Sequence, residues 1–65
     1  MEILIWEARN LKGISLERLA EDSGVAKSTI NDYENKRTDP KMKNMEKIAK
    51  ALGVKISDLY NSEYK

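Results

Sequence analysis

Between residues 25 and 43 the chain carries Lys27, Lys36, Arg37, Lys41 and Lys43 against Asp32, Glu34 and Asp39, a local charge of +2. Residues 1–24 carry three basic and five acidic side chains, residues 44–65 four and three, and the total is only +1. The total argues neither for nor against a nucleic-acid partner; the local positive charge suits an anionic partner or an ordinary solvated loop. The chain has no Cys and no His, which removes disulfides, thiolate metal sites and the usual zinc and proton-shuttle groups. Nothing reads as a nucleophile–base pair, a phosphate loop or a ligand cluster, and the scattered Asp and Glu fall on expected helix surface. No enzyme, cofactor or metal is expected.

The elements that must position these cations read as helices throughout, with no strand-like alternation. Helix one is expected from Glu2 to Lys12, with Leu4, Ile5, Ala8 and Leu11 on one face and Gly13 ending it. Ser15 is the expected N-cap of helix two, Leu16 to Ser23, with Glu17 in its first turn and Gly24 closing it. This helix buries Leu16 or Leu19 together with Ala20. Helix three starts near Ala26–Ser28, with Ala26 and Ser28 as alternative caps, and runs to about Asn35. After the loop KRTDP, helix four spans Lys41 to Leu52 with Met42, Met45, Ile48, Ala49 and Leu52 as its stripe. Ser57 is expected to cap a short fifth helix carrying Leu59, Tyr60 and Tyr64. The expectation is one all-α domain of five short helices over residues 1–65. At this size a domain buries only about 60% of the surface of its unfolded chain, so the core must be packed from Leu, Ile, Val, Ala and Met.

Within the stretch LAEDSGVAKSTINDYEN, residues 19–35, Ala20, Gly24, Val25, Ile30 and Tyr33 have the spacing of a tight two-helix unit. A small residue must sit where the helices cross, and the turn needs a positive φ that a bulky residue resists at roughly 1–2 kcal/mol. Apolar residues after the turn and along the inner face of the second helix then lock the angle.

These residues resemble the phage repressor and Cro-like helix-turn-helix proteins, the XRE family. The likeness extends along nearly the whole chain: Gly13-Ile14-Ser15, Glu17, Leu19-Ala20, Gly24-Val25, Ser28-Thr29-Ile30, Tyr33-Glu34-Asn35, Pro40, Ile48 to Val54, Ile56, Leu59 and Tyr60. It implies a compact five-helix, lambda-repressor-like DNA-binding domain whose third helix enters the major groove. Carried over position by position, Lys27, Ser28 and Asp32 are expected at base edges, with Asn31 nearby. Lys donates to guanine, Ser pairs with several edges, and Asp accepts from cytosine N4. Asp32 alternatively excludes wrong sequences, or points away. Asn35, Lys36 and Arg37 are expected on the phosphate backbone. Ala20, Gly24 and Ile30 are structural, and Arg9 with Glu34 is expected as a partly buried pair linking helix one to the end of helix three.

Two positions depart from the family pattern. Leu16 stands where a phosphate-reaching Gln is usual, and Ala26 where Ser or Thr is frequent; both lower the expected affinity without disturbing the fold.

Ile3 and Trp6, with Tyr60, Tyr64 and the SEYK tail, form either a docking surface or the part of helix one wrapped by the C-terminal segment. The resemblance implies a sequence-specific transcriptional regulator, a repressor binding double-stranded DNA as a homodimer on a two-fold-symmetric operator. An antitoxin-like or adaptor module that binds protein is the alternative. Cro-like chains of this size can be complete, whereas other members continue into a sensor or dimerisation domain. No apolar run approaches the roughly 18 residues of a membrane span, and MEILIWEARN carries Glu2 without a basic leader region. A cytoplasmic protein is the expectation.

Overall fold

Four of the expected helical stretches become α-helices in the computed structural model, which describes residues 1–64. They are α1 (Ile5–Leu11), α2 (Leu16–Ser23), α3 (Lys27–Glu34) and α4 (Met42–Leu52). The family resemblance called for five. In place of the fifth is a single 3-10 turn, Ile56–Leu59, followed by a short extended segment. Ser57 does not cap it; the Lys55 N–H donates to Asp58 Oδ2 at 2.9 Å.

The chain ends explain this change. Helix one was expected from Glu2, but β1 (Glu2–Ile3) pairs antiparallel with β2 (Tyr60–Asn61), Glu2 opposite Asn61 and Ile3 opposite Tyr60. The Leu4 N–H continues the ladder to the Leu59 carbonyl at 2.8 Å. The first N–H groups of a helix have no partners within it, whereas the ribbon gives these residues partners at the far end of the chain. The architecture remains all-helical apart from this ribbon. Lys65 of the C-terminal tail lies outside the described residues.

The core is continuous: Ile5 from α1, Leu19 from α2, Val25 from the turn, Ile30 and Tyr33 from α3, Met45, Ile48, Ala49 and Leu52 from α4, and Leu59. Of the two candidates in α2, Leu19 is the fully buried one; Leu16 is half-buried and packs against the core edge. Two residues expected on buried stripes are not buried: Leu11 is 89% exposed and Met42 65%. Each is the terminal residue of its helix. Apolar spacing reports which residues share a face, not how far the neighbouring element reaches along it. Among the described residues no helix is long and apolar enough to cross a membrane.

Candidate nucleic-acid interface

The two-helix unit is built as its spacing requires. Ser15 Oγ accepts the Arg18 N–H at 3.0 Å and caps α2. Gly24 ends the helix at φ +76, and a Cβ built there meets nothing within 4 Å. Glycine is therefore needed for its backbone conformation and not for space. Ser23 Oγ accepts the Val25 N–H at 3.1 Å and tightens the turn. Of the two alternative starts for α3, the cap position falls on Ala26, with no side-chain capping bond, so Lys27 is the first helical residue.

One face of α3 is sealed. Ile30 is fully buried and Tyr33 is 3% exposed. The Tyr33 hydroxyl accepts from Asn44 Nδ2 at 2.8 Å, which ties α3 to the first turn of α4. Asn44 carries no periodic or motif signal; only the rule that a buried tyrosine hydroxyl finds a partner points to one.

The far end of α3 is held by a clamp. Arg9 Nε and Nη2 donate to Glu34 Oε2 and Oε1 at 2.9 and 3.0 Å. Arg9 Nη1 donates to the Ile14 carbonyl at 3.1 Å, so one guanidinium joins α1, the α1–α2 turn and α3. The side chains are 13% and 6% exposed, the partly buried pair expected from the sequence. The hydrogen bond to Glu34 raises the Arg9 pKa, against an opposing effect of burial. The cation thus contributes at every pH below the ordinary arginine value, and its contribution is lost only as the pH rises through the raised one.

The opposite face of α3 is open. Lys27 and Ser28 at its start and Asn35, Lys36 and Arg37 at its end are exposed, while Asn31 and Asp32 are half-buried between them. Most of these polar groups are already engaged. Lys27 Nζ pairs with Glu17 Oε2 of α2 at 3.0 Å. Arg37 Nη1 pairs with Asp32 Oδ1 at 3.3 Å. Asn35 Nδ2 donates to the Asn31 carbonyl at 2.8 Å and to Asn31 Oδ1 at 3.0 Å. In the sequence Glu17 reads as a first-turn acid and as part of the family likeness, and neither points to an ion pair. Its partner is ten residues away across a turn, beyond the reach of helical spacing.

Lys36 is the only non-glycine residue with positive φ among those described, at φ 60. It occupies the position after the helix cap that glycine usually takes: its N–H donates to the Tyr33 carbonyl at 3.2 Å and the Arg37 N–H to the Asp32 carbonyl at 2.9 Å. A side chain there carries a steric cost that glycine avoids, partly offset by the freedom glycine loses on folding. Lys36→Gly is expected to raise stability by about 0.5–1 kcal/mol. Urea unfolding checks this, and an unchanged or lower midpoint would show the position to be unstrained.

The remaining candidates separate. Ile3 does not share a helical stripe with Trp6, because it lies in β1 opposite Tyr60. Both half-buried side chains line a shallow groove with Met1, Pro40, Met42 and Ile56. Trp6, 53% exposed, lies instead beside Glu7, Asn10 and Leu11 on the outer side of α1. Tyr64 is 88% exposed.

Comparison with known proteins agrees with this geometry. The helix-turn-helix family matches residues 7–59. The transcriptional regulator SinR of Bacillus licheniformis is 40% identical over 60 residues, covering 91% of this chain and 54% of that protein. This chain thus spans about half the length of that relative. The N-terminal DNA-binding domain of SinR from Bacillus subtilis superposes with a TM-score of 0.82 at 34% identity, covering 94% of this chain and 90% of that one. SinR, the master regulator for biofilm formation, in a crystal structure of its complex with DNA, gives a TM-score of 0.77 at 37% identity, covering 82% and 86%.

Proposed function

The chain belongs to the XRE-type helix-turn-helix family, and from that premise we propose that it is a transcriptional regulator that binds double-stranded DNA through α3 in the major groove. The observation that carries this reading is the asymmetry of α3. Ile30 and Tyr33 anchor one face in the core, while Lys27 and Ser28 stand exposed on the helix and Asn35 and Lys36 just past its end. That a similar protein has been crystallised in complex with DNA supports DNA as the partner.

In this reading residues 1–65 act as one domain in the cytoplasm. Lys27 and Ser28 reach base edges, Asn31 and Asp32 follow along the groove, and Asn35, Lys36 and Arg37 meet phosphates. One domain of this size covers few base pairs, so a homodimer on a two-fold-symmetric operator, acting as a repressor, completes the proposal.

Selection of bound duplexes from a random pool tests it, because enriched inverted repeats would report binding, spacing and symmetry together. On the enriched duplex, Lys27→Ala is expected to relax base preference, a good base contact being worth about 1–3 kcal/mol. Lys36→Gly, a variant expected to be no less stable than the parent, weakens all duplexes about equally and lowers the salt slope by about one. If both variants bind every duplex as the parent does, α3 does not enter the groove.

A further inference from the structure

We propose that Glu17 is an intramolecular competitor for Lys27, a clasp across the two-helix unit that must open before Lys27 can reach DNA. The inference rests on the reading of α3 as the groove-entering helix. Lys27 is the first residue of α3 and Glu17 lies in the first turn of α2. Nζ and Oε2 are 3.0 Å apart, with side chains 55% and 69% exposed. The clasp is thus an open surface pair that solvent already weakens, tight enough to occupy the ammonium and loose enough to give way.

The chemistry of the partner decides which way it gives. A first helix that crosses the DNA backbone brings Glu17 towards phosphate oxygens. Closed, the pair holds the Lys27 ammonium on the carboxylate and away from guanine O6 and N7, and opening it leaves that carboxylate unpaired near phosphates, a cost that Glu17→Gln removes. Opening it exchanges one carboxylate acceptor for several acceptors on the partner. Arg9 is the other cation whose charge acts on Glu17, and it is committed to Glu34. The bond from Lys27, with a smaller contribution from the Glu17 backbone N–H, holds the Glu17 carboxyl below its ordinary range, so the clasp is charged at neutral pH.

The consequence concerns specificity. A duplex that offers Lys27 a base contact opens the clasp, whereas one that offers none can leave it closed.

A four-variant cycle tests this by fluorescence anisotropy: parent, Glu17→Gln, Lys27→Ala and the double variant. Each is titrated with the duplex enriched by the parent and with the unselected random pool. Glu17→Gln is expected to bind the enriched duplex about two- to fivefold tighter, the scale of an exposed ion pair. The gain should be smaller on the random pool and absent when Lys27 is already Ala. An unchanged or weaker affinity would overturn the competitor role and make Glu17 a positioning group. A gain that persists without Lys27 would overturn it as well, leaving simple repulsion of phosphates. Failure of every variant to bind any duplex would instead remove the DNA-binding reading, and the clasp with it.

Discussion

Arg9→Ala is expected to destabilise the fold by about 3–5 kcal/mol, the cost of stranding a buried charge. The Glu34 side chain is only 6% exposed and loses both of its hydrogen bonds when the guanidinium is removed. The Ile14 carbonyl loses its donor in the same step. For a domain of this length the melting temperature should fall by at least about 12 °C. Glu34→Ala strands Arg9 in the same way and should cost a similar amount. The informative companion is Arg9→Met with Glu34→Leu, which removes both charges and keeps apolar volume. If the single losses reflect a stranded partner, the double variant recovers most of the stability. Equal losses in all three would show that the pair itself, rather than its completeness, carries the energy.

Ile30→Ala is expected to cost about 2–5 kcal/mol, with Ile30→Val at about 0.5–1.5 kcal/mol. Ile30 is 0% exposed and is one of only two residues of α3 in the core. The lost methyl groups leave a cavity under the helix that displays Lys27 and Ser28. A core of this size leaves only about 3–5 kcal/mol of net stability, so the Ala variant should be substantially unfolded. Ligand binding pulls such an equilibrium back: DNA at a hundred times its dissociation constant contributes about 2.7 kcal/mol. Melting of the Ala variant with and without the enriched duplex checks both parts. A melting point unaffected by the truncation would show that α3 is seated by other contacts. A melting point unaffected by saturating duplex would remove DNA as the stabilising ligand.

Gly24, Ser15, Ile30 and Tyr33 were legible because each answers a local demand: a positive φ, a first-turn N–H, or an inward face every three to four residues. The Arg9–Glu34 pair was legible for a different reason. No local rule links residues 25 positions apart, and it was the family pattern that named them together. Leu11 and Met42 show where periodicity stops, since it assigns a face but not the extent of the surface packed against it.

By itself, then, the sequence determined what short-range chemistry controls: the four α-helical segments, their stops, the turn that sets α2 against α3, and most of the residues facing the core. Tertiary structure alone decided what depends on meetings between distant segments. It folded Glu2–Ile3 into a ribbon with Tyr60–Asn61 instead of a first helical turn, and it parted Ile3 from Trp6. It also closed Lys27 onto Glu17 and Arg37 onto Asp32. Backbone hydrogen bonds and surface charges take whichever partner the assembled fold brings within reach, and a partner's distance along the chain says nothing of its distance in space.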